Sequence, residues 1–148
     1  MMREFQGRVV VPGAAKAEAL VTTKGFNTLA SFQKSLMKSD LRAICSDQNN
    51  PDLFGKALAG KAICLPRTIG STTGGMVLYC ASAMGAAPAC LLFSEPIDSL
   101  AAAGAILSDV WTESSLPTVD SLGEDFLEYV KEGMLIEVME DGIVRVEG

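Results

Sequence analysis

The residues best suited to chemistry in this sequence lie in the turn from Leu65 to Gly75, which reads L-P-R-T-I-G-S-T-T-G-G. A strand ends at a proline, a glycine permits a tight turn, and hydroxyl residues precede the predicted start of a helix. Unpaired N–H groups at a helix N-terminus favour a bound carboxylate or phosphate. Arg67 adds a planar cation that can bind an anion through two hydrogen bonds. The turn therefore predicts a site for an anionic small molecule.

A serine hydroxyl can act as a base only if positive neighbours and oriented amides stabilise its alkoxide, and the turn from Arg67 to Gly75 could provide both. The candidate substrate-binding residues in this turn are Arg67, Gly70, Thr72, Thr73 and Gly74. The alternative is structural, with a hydroxyl capping the helix and the glycines allowing helix–strand packing. The spacing matches neither a Walker loop nor a dinucleotide-binding fingerprint.

The composition limits what this site can be. The chain has 148 residues, 49% hydrophobic and 20% charged, with a net charge of −6 and no histidine. The missing imidazole excludes a Ser-His-Asp triad, a Cys-His dyad, a histidine-ligated metal and a phosphohistidine carrier. An acidic chain without a basic run is a poor binder of a nucleic-acid backbone. Any chemistry must use other groups or depend on another chain.

The cysteines and the apolar segments indicate the compartment. Cys64, Cys80 and Cys90 lie in apolar runs, Cys45 stands apart, and no two form a C-x-x-C pair. Such spacing favours buried free thiols over metal ligands or disulfides. No apolar segment of a signal peptide follows the N-terminus, and the longest apolar stretch, 76–90, is too interrupted to span a bilayer. We expect a soluble, cytoplasmic protein that contacts neither membrane nor nucleic acid.

The carboxylates outside the turn have no pattern that favours catalysis. Asp98, Asp109, Asp120 and the pair Glu124-Asp125 are expected on solvated faces or as helix caps. Trp111 is expected to anchor the core or an interface.

Strands and helices alternate along the chain. Strands are predicted at Arg8–Val11, Ala19–Thr22, Lys61–Leu65, Ala89–Phe93 and Leu116–Val119, with a short extended piece at Val110-Trp111. The first two are predicted to pair in antiparallel fashion. Residues 28–52 read as one long polar loop, with a turn at 49–52.

Three helices are predicted between and after these strands, at Thr72–Met84, from Pro96 to about Leu107, and from the capping-box sequence Ser121–Glu124 to Gly133. Gly85 is expected as the residue that ends the first of them. Met134–Met139 and Ile143–Glu147 form a hairpin through Asp141-Gly142. The fold class is α/β, in a single domain over residues 1–148 with a terminal β-hairpin.

The order of several segments resembles the small subunit, or swivel domain, of the aconitase X family. The resemblance rests on Gly7–Gly13 with Glu18–Val21, on Leu53–Lys61 leading to Leu65-Pro66, on the Gly70–Gly74 turn, on Ala87–Ala89 and on Ala101–Ile106. It covers nearly the whole chain. Gln33–Met37 and Asn50-Pro51 depart from the family's usual pattern in a segment expected to shape the substrate pocket.

The resemblance implies a swivelling β/β/α domain that closes over a large catalytic subunit. It implies a hydro-lyase in which Ser71 acts as the base, and in which iron or an iron–sulfur cluster belongs to the large subunit. The expected substrate is a small hydroxy acid, with cis-3-hydroxy-L-proline ahead of mevalonate 5-phosphate, because the turn has one arginine and no lysine cluster for a phosphate.

Two other functions are considered. A phosphohistidine carrier shares the swivelling architecture and has a T-x-x-G-G element similar to Thr72–Gly75, but the absence of histidine opposes this function. A swivel domain without catalytic function, acting in regulation or interaction, also fits the sequence.

Overall fold

The computed structural model describes residues 2–69, 74–111 and 116–148, without the side chains of 74, 75, 99, 100, 107–109 and 111. The strands there are β1 (Met2–Gln6), β2 (Arg8–Val11), β3 (Ala15–Val21), β4 (Phe26–Asn27), β5 (Ala62–Leu65), β6 (Thr68–Ile69), β7 (Cys90–Phe93), β8 (Thr118–Asp120), β9 (Leu135–Val138) and β10 (Ile143–Glu147). The helices are α1 (Thr28–Lys38), α2 (Gly74–Met84), α3 (Ser99–Trp111) and α4 (Glu124–Tyr129).

Eight strands form one sheet in the order β1-β10-β9-β3-β5-β7-β8-β2, and β4 pairs with β6 separately. Its central strands β3, β5, β7 and β8 are parallel, whereas β1, β10 and β9 are antiparallel. Parallel strands are normally buried on both faces, and every residue of β5 and β7 is buried.

Two hydrophobic cores lie on opposite faces of the parallel strands. On one face Ile63 and Leu91 pack with residues of α1, α2 and α3. On the other face Cys64 and Leu92 pack with α4 and with the inner residues of the antiparallel strands. The layers are therefore β, β and α, and the predicted α/β class with its β/β/α arrangement is confirmed.

The predicted pairing of the first two strands is wrong. β2 pairs with β8, whereas β3 pairs with β5 on one side and β9 on the other. Pro12-Gly13 suggested a hairpin turn, but the flanking strands diverge to different parts of the sheet. Each strand pairs with a strand that is distant in the sequence, and the residues around Pro12-Gly13 alone do not indicate such partners.

The predicted long loop over 28–52 is also wrong in its first part, because Thr28–Lys38 is helical. Asn27 caps this helix, since its side-chain oxygen accepts a hydrogen bond from the Ala30 amide at 3.0 Å. The buried face of α1 consists mainly of Thr28, Ser31 and Ser35 around Phe32. A helix that buries small hydroxyl residues lacks the apolar stripe by which helices are recognised.

The limits of the last two helices differ from those predicted. Val110 and Trp111 are the end of α3 and are not extended, and α3 begins at Ser99 and not at Pro96. Ser121 does not cap α4: Gly123 is the N-cap residue without a side-chain hydrogen bond, and the helix ends at Tyr129 before Gly133. Ser121 has φ = 56°, a left-handed conformation that places it outside a capping box.

Other predictions are confirmed. Strands β5 and β7 and the terminal hairpin of β9 and β10 lie where expected, and Gly142 in the hairpin turn has φ = 89°. Gly85, with φ = 80°, follows the end of α2. Cys64 and Cys90 are buried free thiols, as is Cys45, but Cys80 is exposed on the outer side of α2, which corrects the expectation for that residue.

Replacing the cap of α1 tests its contribution. Asn27→Ala removes the acceptor for the Ala30 amide, and we expect a loss of about 1 kcal/mol in the free energy of unfolding. Urea unfolding followed by circular dichroism measures it. Asn27→Ser keeps a capping oxygen and is the matched control, so equal stability of the two variants would contradict the assignment.

Candidate active site

The predicted turn lies at the edge of the sheet where the parallel strands end. Strands β3, β5, β7 and β8 run in the same direction, so their last residues, Val21, Leu65, Phe93 and Asp120, meet at one edge. Ligands of open α/β sheets bind outside the carboxyl ends of such strands. The segments that follow β5 and β7 therefore form the candidate site.

Arg67 is paired at this edge. Its guanidinium Nη1 donates to Oε2 of Glu95 at 3.1 Å, and both side chains are about half exposed. Arg67 follows β5 and Glu95 follows β7, so the ion pair joins two neighbouring strand ends. Glu95 neutralises part of the charge that was expected to hold an anion, while the remaining N–H groups of Arg67 stay available as donors.

Asp98 joins the same edge to helix α3. It stands just before the helix, and its Oδ2 accepts a hydrogen bond from the Ala101 amide at 3.0 Å. Its Oδ1 accepts a second hydrogen bond from the hydroxyl of Thr68 in β6. Asp98 is therefore a helix cap, as predicted, and it also fixes the strand that leads into residue 70.

Asp120 is neither a solvated residue nor a helix cap, which corrects the expectation for it. Its side chain is fully buried at the end of β8. Arg8 Nε donates to its Oδ1 at 2.9 Å and Arg8 Nη2 to its Oδ2 at 2.5 Å, in a bidentate pair. The Ile97 amide also donates to Oδ2, at 2.7 Å. The carboxylate thus holds the segment that carries Glu95 and Asp98.

The surroundings of Asp120 change its acidity. Burial by itself would raise its pKa, but the hydrogen bonds from Arg8 and the Ile97 amide, together with the charge of Arg8, outweigh burial and lower the pKa below its usual value. Asp120 is therefore ionised at neutral pH and serves as an anchor. Sequence reasoning missed it because Arg8 and Asp120 are 112 positions apart.

The expected catalytic residue Ser71, with Gly70, Thr72 and Thr73, lies outside the described residues, and Gly74 is the first residue of α2. The segments on both sides of these residues are described. Ile69, just before them, pairs with Asn27 of β4, so the N-terminus of α1 lies beside the start of the turn. The roles of Ser71 and its neighbours stay predictions.

Asn50 organises the segment next to this edge. It is buried, and its Oδ1 accepts hydrogen bonds from the Asp52 and Leu53 amides at 3.1 and 3.2 Å. The hydroxyl of Thr22, just after β3, donates to Oδ2 of Asp52 at 2.9 Å. Asn50 therefore shapes the backbone near the end of β3, whereas Gln33–Met37 lies within α1.

A second group of polar residues is separate from the turn. Lys34, Lys38 and Arg42 line a cavity of about 270 Å³ beside Phe54. This cavity lies at the C-terminal half of α1, whereas the helix N-terminus lies beside the candidate site. The structure therefore does not bring these cations to Arg67.

Three of the four thiols of this chain are buried, and their burial favours the protonated form. Burial raises the pKa of Cys90 to about 12, and burial followed by the nearby Cys90 raises that of Cys64 well above its usual value. Burial also raises the pKa of Cys45. Protonated thiols are poor metal ligands, and residues 2–69, 74–111 and 116–148 contain no group of three or more potential metal ligands.

Among residues 2–69, 74–111 and 116–148, no helix is both long and apolar enough to cross a bilayer.

The buried carboxylate leads to a prediction about pH. Because the pKa of Asp120 is lowered in the folded chain, its ionised form stabilises the fold above the ordinary aspartate pKa, and this contribution is lost as the pH falls through the lowered value. We expect Asp120→Asn to reduce the free energy of unfolding at pH 7 by about 1–3 kcal/mol. The difference in the free energy of unfolding between Asp120→Asn and the unmodified chain should become smaller below about pH 4.

Urea unfolding at pH 7, 5 and 3 measures both effects. Glu140→Gln, which neutralises an exposed carboxylate, is the control and should change little at any of these pH values. A difference between Asp120→Asn and the unmodified chain that stays constant from pH 7 to pH 3 would show that ionisation of Asp120 does not contribute.

Comparison with known proteins finds relatives that match most of the chain. The chain is 32% identical over 130 residues to the phosphomevalonate dehydratase small subunit of Methanosarcina mazei, covering 88% of this chain and 81% of that protein. It is 30% identical over 145 residues to the subunit of the same name from Thermococcus onnurineus, covering 97% and 98%. A dehydratase is a hydro-lyase, so these relatives have the enzyme class that the sequence predicted.

The fold is similar to that in a crystal structure of Thermococcus kodakaraensis aconitase X in its holo-form. The TM-score is 0.82 at 29% identity, over 99% of both chains. The family described as the aconitase X swivel domain matches residues 4–146. With nearly its whole length matched, the chain belongs to the aconitase X swivel-domain family.

Proposed function

We propose that this chain is the small subunit of a phosphomevalonate dehydratase, which closes over a large subunit and supplies the base. The observation that carries the proposal is the similarity to the Thermococcus onnurineus subunit, since it extends over 97% of this chain and 98% of that protein. Relatives that align from end to end share their whole architecture, including the edge of the sheet where the predicted turn lies.

The reaction proposed is the removal of water from a hydroxy acid. Ser71 as an alkoxide takes the proton from the carbon next to the substrate carboxylate, and the electron pair of that C–H bond forms the new double bond. The hydroxyl on the neighbouring carbon leaves with its bonding pair and takes one proton from solvent to become water, and Ser71 returns the proton that it removed to solvent, so no net proton is gained or lost. The amides of Thr72 and Thr73 would hold an anionic group of the substrate.

The pair of Arg67 and Glu95 bears on how a phosphorylated substrate would be held. An arginine already paired at 3.1 Å can orient an anion, but one partly neutralised cation compensates a phosphate dianion poorly. The three cations at the other end of α1 line a separate cavity. We therefore assign most of the phosphate-binding charge to the large subunit, and the orientation of the substrate carboxylate or phosphate to Arg67.

The iron or iron–sulfur cluster is assigned to the large subunit as well, because the described thiols of this chain are buried with raised pKa values or, like Cys80, stand exposed and apart. When bound there, the iron supplies Lewis-acid chemistry for the leaving hydroxyl. In this proposal the small subunit contributes the base and the anion-binding turn. The proposal is thus a heterodimer with an active site shared between its two subunits.

The substrate order expected from the sequence changes in this proposal. The sequence favoured cis-3-hydroxy-L-proline as the substrate. The two relatives compared above are instead named as phosphomevalonate dehydratase subunits. Mevalonate 5-phosphate is therefore the proposed substrate. The proline derivative and the cytoplasmic location stay predictions.

Removing the proposed base is the first test. In the complex with its large subunit, Ser71→Ala should lower kcat for dehydration by at least about 100-fold, because general-base catalysis contributes about that much or more. Ser39→Gly is the matched control: it removes an exposed hydroxyl at a residue with φ = 52°, where glycine is unstrained. Full activity of Ser71→Ala in an intact complex would refute the assignment of the base.

The second test concerns the substrate. The reconstituted complex should dehydrate mevalonate 5-phosphate with a kcat/KM at least about 100-fold above that for cis-3-hydroxy-L-proline, because subunits similar over their whole length should share a substrate-binding site. Product formation is followed by proton NMR with each compound in separate reactions. Turnover of the proline derivative alone would reverse the order, and a complex that forms but turns over neither would support a non-catalytic domain.

A further inference from the structure

The outer surface of helices α2 and α3 lacks the charge expected of a solvated surface. One residue in five of the chain is charged. The two helices have 11 and 13 residues, and Asp109 is their single charged residue. A surface helix normally carries charged and polar residues on its outer face, whereas a helix that is apolar all round is buried. These two helices have the composition of covered helices.

Their outer residues are nevertheless exposed in the isolated chain. Met76 is 57% exposed on α2, and Ile106 and Val110 are 46% and 67% exposed on α3. The inner residues of the same helices, such as Leu78 and Ala105, are fully buried against the sheet. Exposure of the outer residues is therefore not a sign of loose packing, because the inner side of each helix is fully packed.

The exposed residues lie along one side of each of these two helices, which pack against each other. On α2, Met76, Cys80 and Ala83 are exposed at intervals of four and three residues, which is one side of the helix. On α3, the exposed Ala103, Ile106 and Val110 have the corresponding intervals of three and four. The two helices pack side by side, so the two rows are neighbours. We call these six residues the α2–α3 face.

The position of this face indicates what covers it. Met76 lies in the first turn of α2, three residues after the predicted Gly70–Thr73 loop, and the exposed Ile69 lies just before that loop. A subunit that presents substrate to Ser71 must contact this edge of the sheet. Apolar residues that flank the loop on both sides would meet the same subunit.

We propose that the α2–α3 face docks against the large subunit, through an apolar and uncharged surface of that subunit. The proposal rests on the proposed function for the identity of the partner, but it does not depend on the substrate. It accounts for three observations together: the single charged residue in two helices, the exposure of their outer residues and the position of Met76 shortly after the predicted loop in the sequence. Contiguous exposed apolar surface is typical of such interfaces.

The test measures binding and not turnover. The full chain and its cognate large subunit are purified separately, and their dissociation constant is measured by isothermal titration calorimetry without substrate. Ile106→Glu and Val110→Glu should each weaken binding by at least tenfold, because a carboxylate would be buried without a partner. Both sites are exposed in a helix, where glutamate is well tolerated, so thermal unfolding should change little.

Met37→Glu is the matched control, since Met37 is an exposed apolar residue on α1 that is not one of the six residues of this face, and the variant should bind normally. Ile106→Leu keeps the apolar contact and should also bind normally. Unchanged binding of both glutamate variants would overturn the proposal, as would equal weakening by Met37→Glu.

The remaining outcomes separate this proposal from the proposed function. A complex that binds as expected but does not dehydrate mevalonate 5-phosphate refutes the substrate and leaves the docking face in place. A complex that is active but insensitive to both glutamate variants refutes the face alone. Light scattering shows whether the isolated chain dimerises. If Val110→Glu makes such a dimer monomeric without changing the affinity for the large subunit, the face binds a second copy of this chain, and the proposal is overturned.

Discussion

The shared direction of β3, β5, β7 and β8 is the constraint on which the candidate site depends. Because these strands are parallel, the segments that leave them start at one edge of the sheet, although they are far apart in sequence. Arg67 and Glu95 form their ion pair only because β5 and β7 are neighbours in register, with Leu65 opposite Phe93. The antiparallel strands and α4 cover the far side of the parallel strands. They bury the second face of the parallel strands, which such a sheet requires.

Asp120 fixes the position of the segment that follows β7 relative to strands β2 and β8. A buried carboxylate is costly unless it is paired, and here a bidentate arginine and a backbone amide compensate it. The amide belongs to Ile97, which precedes Asp98. Asp98 caps α3 and accepts a hydrogen bond from the Thr68 hydroxyl. Contacts therefore run from the edge strand β2 through β8 to β6 and on to the start of the predicted loop. A base positioned by a rigid scaffold needs such support, since small errors in position reduce catalysis strongly.

The sequence allowed the local elements to be predicted, and the partners of those elements much less so. The apolar runs of β5 and β7 and the Asp141-Gly142 turn carry strong local signals, and all three were correct. Helix α1 was missed because it buries serine and threonine, and the end of α3 was missed because Val110 and Trp111 favour strands. The pairing of β2 with β8 and the contact between Arg8 and Asp120 join residues more than 100 positions apart. Only the alignment of the whole chain with a family could indicate such contacts, and it was also the resemblance that selected Ser71 from the hydroxyls in its turn.

The absence of histidine and the apolar helical layer have one explanation in common. A chain that supplies half of an active site needs neither imidazole nor metal ligands, if its partner provides the metal and most of the positive charge. The same chain must also bury a surface against that partner, and the exposed apolar residues of α2 and α3 are the surface proposed for it. On the opposite face of the sheet, α4 carries Glu124, Asp125 and Glu128. Docking through α4 would bury these carboxylates against the partner, so the two faces of the molecule are not interchangeable in the proposed complex.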